Sequence, residues 1–184
     1  MNIQTESTPN PSSLKFLPGK IVMEKGTADF RNVEKAKHSP LALNLFKIDG
    51  VEGVFFGSDF ISITKGDGHE WQTLKPSISE TIIEYFKSWT AVMLQGKEDK
   101  TDTSNTEDNE AVTKIKEIIN TKVRPAVAKD GGDIIFQSFD DGIVYLQMQG
   151  SCSGCPSSTA TLKAGIENML KHYIPEVREV RPVT

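Results

Sequence analysis

Cysteine is scarce in this chain: 184 residues contain two, Cys152 and Cys155. A tetrathiolate metal site built from one chain is therefore excluded, because it needs four. Long apolar runs are missing as well. None approaches the ~20 residues a membrane helix requires. The opening stretch Met1-Asn2-Ile3-Gln4-Thr5-Glu6 has no basic or apolar segment and its first charge is acidic, so neither a secretory signal nor an Arg-rich transit peptide is expected. Dense positive charge is absent too, and phosphate neutralisation supplies most nucleic-acid affinity; neither nucleic acid nor a membrane surface is an expected partner. No Gly-rich phosphate loop or nucleophile elbow occurs, which leaves no case for a nucleotidase or hydrolase, and the chain is not expected to be an enzyme.

Apolar residues make up 37% of the chain and charged residues 25%, enough to build packed cores. The formal charge of -4 is unevenly placed. Residues 1–95 carry 10 basic and 11 acidic groups, residues 96–110 carry 2 and 6, and residues 111–184 carry 9 and 8. The excess falls where aliphatic and aromatic side chains stop, from Gly96 to Asn109. Such a segment can bury nothing and self-repels, so 96–109 reads as a flexible acidic linker. The expected architecture is two small α+β domains, 1–95 and 110–184, on that tether.

In the first domain, Asn2 to Glu6 and Leu14 to Leu17 read as strands around the turn residues Thr8-Pro9-Asn10-Pro11-Ser12. Ser39-Pro40 gives an N-cap and first helical position for a short helix. Val51 to Phe56 and Phe60 to Thr64 flank Gly57-Ser58-Asp59 as a hairpin, with Phe55, Phe56 and Phe60 expected half in the core. Ser77 and Glu80 form a capping box, placing a helix from there to near Met93 with Ile78, Ile82, Ile83, Phe86 and Trp89 on one face. In the second domain the expected order is helix, strand, strand, helix, strand. Pro125 is expected to bend or break the first helix. Gly131-Gly132 reads as a stop and strand entry, and Asp140-Asp141-Gly142 as a tight turn. The last helix is expected over Ser157 to Lys171.

The chemistry concentrates in Gly150-Ser151-Cys152-Ser153-Gly154-Cys155-Pro156. The pair falls between a strand and a helix, where unpaired N–H groups and the positive end of the helix dipole favour thiolate. Paired thiolates on a loop suit an iron–sulfur cluster, zinc, or disulfide exchange. No Asp, Glu or His stands beside the pair, and His38, His69 and His172 lie elsewhere. A cluster ligated wholly by protein would therefore take Cys152 and Cys155 from each of two chains, giving an exposed site suited to delivery.

These residues also resemble a family. Asp130-Gly131-Gly132-Asp133, the cysteine segment continued through Ser157-Ser158, Leu162-Lys163-x-Gly165-Ile166-Glu167 and Ile174-Pro175-Glu176-Val177 are similar to the Nfu domain, the C-terminal module of NifU. Gln4-Thr5-Glu6-Ser7-Thr8-Pro9-Asn10-Pro11, Leu14-Lys15-Phe16, Ser39-Pro40-Leu41-Ala42 and Val54-Phe55-Phe56-Gly57-x-Asp59-Phe60-Ile61 resemble the Nfu N-terminal domain. Ser151, where Ala is common, is a small-for-small departure. The resemblance implies a scaffold or carrier holding a transient [4Fe-4S] cluster, with [2Fe-2S] as the other type, on Cys152 and Cys155 of two protomers. It implies an upstream cluster donor, apo iron–sulfur proteins as recipients, and a homodimer on cluster binding. A thiol–disulfide oxidoreductase using the same pair is the competing reading. A bacterial cytoplasmic setting is expected, with a mature mitochondrial matrix protein as the alternative. The first domain, lacking a chemical residue set, is expected to select partners or to hold the second domain in a productive state.

Overall fold

The computed structural model describes residues 2–88, 91–93, 110–153 and 156–183. The expected tether at 96–109, Trp89, and Cys155 with Gly154 lie outside the described residues. The chain divides into two compact units, Met1–Gly96 and Lys97–Thr184, each mixing helix and sheet.

Unit 1 holds a five-stranded antiparallel sheet made of β1 (Gln4–Ser7), β2 (Ser13–Leu17), β3 (Ala28–Phe30), β4 (Val51–Phe56) and β5 (Ile61–Lys65), in the order β1-β2-β5-β4-β3. Side chains alternate faces along a strand, and the register lines the apolar ones up across the sheet. Phe16, Ile61, Phe56 and Ala28 form one row, and Leu14, Ile63, Val54 and Phe30 the next. Helix α1 (Pro40–Phe46) packs Leu41, Ala42 and Leu45 onto this face, and helix α2 (Trp71–Lys87) adds Leu74, Ile78, Ile82 and Tyr85. The Ser39 cap forms as its sequence demands: Oγ accepts the Ala42 N–H at 3.2 Å and donates to the Val92 carbonyl at 2.6 Å. Phe55, Phe56 and Phe60 are all buried rather than half so. Phe55 and Phe60 pair with ring centres 6.0 Å apart, and the Lys15 ammonium lies 4.7 Å over Phe60.

The second helix differs from expectation at both ends. It starts at Trp71, six residues before Ser77, and runs through Pro76. The apolar stripe explains this, because Leu74 continues the spacing of Ile78 and Ile82 one turn earlier and is buried. Trp71 anchors the start, its indole N–H donating to the Pro11 carbonyl at 3.1 Å. At the other end Ser88 closes the helix, and the Tyr85 hydroxyl donates to the Ala91 carbonyl at 2.7 Å.

Unit 2 opens with helix α3 (Glu110–Ile118), a π-helical turn (Ile119–Val123) and helix α4 (Arg124–Lys129). The α-helical run is interrupted ahead of Pro125, as expected, but by a π-helical turn rather than a stop: the helix resumes as α4 with the proline near its start. Strands β6 (Gly132–Asp140) and β7 (Ile143–Gly150) form a hairpin, and β8 (Glu179–Val183) pairs parallel to β7 after helix α5 (Pro156–Tyr173). Asp141 and Gly142 both have positive φ, 45° and 78°, as the tight turn of a right-twisted hairpin requires. One core joins all the helices to one face of the sheet: Ile115, Ile119 and Val127 meet Ile134, Val144 and Leu146, closed by Ile166 and Leu170.

A carboxylate ties α5 to β8. Glu167 accepts the Lys171 ammonium at 2.6 Å and the Val180 N–H at 3.1 Å. The Lys171 bond first, then the backbone bond, hold its carboxyl below the usual glutamate value. A lowered folded-state pKa means stability is full above the unfolded value and lost as pH falls through the folded one. Glu167→Gln is expected to flatten the decline of unit 2 melting temperature between about pH 5 and pH 3, measured by calorimetry. An unchanged decline would show that this carboxylate plays no part.

Candidate functional site

The cysteine loop begins where β7 ends. Gly150 takes φ 63°, a conformation that suits glycine, and turns the chain out of the sheet. Ser151 and Cys152 are both buried, and Cys152 is 6% exposed within the unit 2 core. The loop is pinned from below by the strand entry. The Ser151 N–H donates to the Gly131 carbonyl at 3.2 Å, and the Ser151 hydroxyl donates to the Asp130 carbonyl. Ser153 folds the loop on itself, its N–H and hydroxyl reaching the Gly150 carbonyl at 3.1 and 2.9 Å. Thr159 of α5 donates to the Cys152 carbonyl at 3.4 Å.

Gly132 is the floor beneath the sulfur. It pairs with Gly150 across the hairpin. A Cβ on Gly132 would lie 2.6 Å from Cys152 Sγ and 2.7 Å from the Gln149 carbonyl oxygen. Gly131, with φ 80°, does stop the helix as expected, while Gly132 is needed for close approach of a thiol. This second role was not read from the sequence.

Burial pushes the Cys152 thiol up to about 11 from an ordinary 9.0. The Ser151 hydrogen bond works against that shift, and the Asp130 and Asp133 carboxylates reinforce it. The expected thiolate is thus corrected for Cys152 in the cluster-free chain. Helix α5 starts at Pro156, four residues on, and its dipole acts within its first turn, so desolvation dominates. A thiol this reluctant to ionise is a poor attacking group for disulfide exchange. Cys155 lies outside the described residues. Among those described, no group of three or more His, Cys, Asp or Glu side chains could hold a metal ion. Among the described residues, Cys152 is the sulfur ligand this loop offers a metal.

A buried cysteine seated on a glycine strand entry marks this helix-and-sheet module. Family models match both parts of the chain. Residues 3–89 match the family described as scaffold protein Nfu/NifU N terminal, and residues 115–181 match the NifU-like domain. The chain is 54% identical over 98% of its length to NifU-like protein 4, mitochondrial, of Arabidopsis thaliana, covering 65% of that protein. It is 50% identical over its whole length to the NFU1 iron-sulfur cluster scaffold homologs, mitochondrial, of Drosophila willistoni and Homo sapiens, covering 64% and 72% of them. The solution structure of a NifU-like protein from Saccharomyces cerevisiae is similar over 52% of this chain and 87% of its own, at 27% identity and a TM-score of 0.48. The chain belongs to the Nfu family of NifU-like scaffold proteins. It spans slightly less than two thirds of the Arabidopsis and Drosophila relatives it matches.

Gly132→Ala is expected to destabilise unit 2 by about 1–3 kcal/mol, the cost of overpacking. Gly165→Ala, where a Cβ meets nothing within 4 Å, should be neutral or stabilising by up to about 1 kcal/mol in its helix. Denaturant melts of both variants check this. Equal stability of the two would remove Gly132 from its place under the sulfur.

Proposed function

We propose that two copies of this chain hold one iron–sulfur cluster through Cys152 and Cys155 of each, of the [4Fe-4S] type, and pass it to apo iron–sulfur proteins after receiving it from an upstream donor. The observation that carries the proposal is the seating of Cys152. The chain's only two cysteines stand three apart in sequence, and the first rests on the Gly132 backbone while Ser151 beside it bonds the Asp130 and Gly131 carbonyls. The cluster is cargo: bound thiolates take up iron, and loading releases the protons that the thiols hold. Two cysteines per chain satisfy half of a four-thiolate site, so a second chain supplies the rest. A site completed across two chains is easily opened by separating them, which favours transfer over permanent electron carriage.

Within this reading the division of labour is 110–184 for the cluster, 96–109 as an acidic tether that keeps the modules at high mutual concentration, and 1–95 for partner choice. The relatives are named mitochondrial, which favours the mitochondrial matrix over the bacterial cytoplasm expected from the sequence. Among the described residues no helix is long and apolar enough to cross a membrane.

Cys152→Ser and Cys155→Ser are each expected to abolish iron retention after anaerobic reconstitution while leaving far-UV dichroism intact. Iron kept at the parental level by either variant overturns the ligand assignment. Deleting residues 1–95 should spare cluster assembly but slow transfer to particular recipients, followed by activation of two unrelated apo-proteins. Equal transfer rates to both, with and without the segment, would remove partner choice from the first domain.

A further inference from the structure

The strand entry that carries the cysteine loop is itself closed by an ion pair, its carboxylate buried and its arginine half-buried, to which the sequence reading gave no role. Arg124 Nε and Nη2 donate to Asp133 Oδ1 and Oδ2 at 2.8 and 2.7 Å, a two-pronged fork. Asp133 is 4% exposed, and Oδ1 also accepts the Ile134 N–H at 2.8 Å. A third guanidinium nitrogen reaches Asn120 Oδ1 at 3.3 Å. A carboxylate this buried is tolerated because both oxygens are satisfied by charge-assisted bonds.

The geometry of the ring matters more than the pair itself. Arg124 opens α4 and Asp133 is the second residue of β6, so the fork cinches the segment between them. Three groups that hold the cysteine loop from below lie in that segment: the Asp130 carbonyl, the Gly131 carbonyl and the Gly132 floor. The π-helical turn sets the arginine's direction. The Arg124 N–H bonds the Ile119 carbonyl, five residues back, which rotates every later side chain relative to an unbroken α-helix. Turns of this kind recur at functional sites.

We propose that Arg124 and Asp133 are positioning residues for the cysteine loop: their fork holds the Asp130–Gly132 cradle at the spacing that keeps Cys152 packed in the cluster-free chain. The proposal rests on the reading of the loop as the cluster site. Its test uses no iron, so the two can fail separately. The full-length, reduced, cluster-free chain is treated with iodoacetamide at fixed pH, and the modification of Cys152 is followed peptide by peptide with mass spectrometry. Arg124→Gln and Asp133→Asn are compared with Val180→Ala, a core change in β8, at temperatures giving equal distance from each melting point.

Loss of positioning opens the loop locally, so both fork variants should be modified about tenfold faster than the core control. Charge alone would move them in opposite directions: Arg124→Gln leaves a bare carboxylate near the thiol and slows it, and Asp133→Asn removes that carboxylate and speeds it. Acceleration in both is the signature of position. Arg124→Lys, which keeps the charge and one bond but loses the fork, guards against a variant that fails to fold and should be faster than parent by about threefold. Rates equal to the core control, or opposite shifts in the two neutral variants, overturn the proposal.

Discussion

The site depends on one close contact, a sulfur resting on a backbone that has no side chain. Cys152 Sγ occupies the space a Cβ on Gly132 would need. The hairpin register that sets Gly132 opposite Gly150 puts the end of one strand directly under the loop leaving the other. Each neighbouring feature follows from keeping that contact. Gly131 turns the chain from α4 into β6, Gly150 turns it from β7 into the loop, and Ser151 stitches the two turns together through the Asp130 and Gly131 carbonyls.

That contact carries an energetic tension. Burial disfavours the charged sulfur and pushes the Cys152 thiol up to about 11. In the proposed scaffold, iron ligation by Cys152 would compete with this packing, because it would need the ionised sulfur. In unit 1 one sheet face and two helices form the main core, and Phe55, Phe60 and the stem of Lys15 form a second buried group outside it.

Much of this could be read from residues in order. The Ser39-Pro40 cap, the Asp140-Asp141-Gly142 turn and the helix-strand-strand-helix-strand order follow from local chemistry, and the structure has them where the residues say. Other features were hidden for identifiable reasons. Strand β3 is three residues long, too short to show alternation, and exists because Ala28 and Phe30 extend two rows begun on other strands. The start of α2 was hidden by the apparent Ser77–Glu80 capping box, which is overridden by the burial of Leu74 one turn earlier. At the site, the cysteine spacing announced itself and the ion pair beneath it did not. Arg124 and Asp133 stand nine residues apart across a helix end and a strand entry, and the π-helical turn that aims the arginine has no local signature. The direction of the Cys152 pKa was likewise a tertiary matter. A nearby helix start suggested thiolate, but the distance to that start and the apolar surroundings decide otherwise.

The central claim is that four thiolates from two chains make the site, and stoichiometry tests it most directly. The full chain would be reconstituted anaerobically with iron and sulfide, and iron, sulfide and native mass measured on one sample. The account predicts a dimer containing one four-iron cluster, that is, two irons and two sulfides per chain. A dimer with half that content would keep the shared site and change the cluster type. A monomer that binds iron stoichiometrically, or one that binds none while its cysteines cycle through a disulfide, would contradict it.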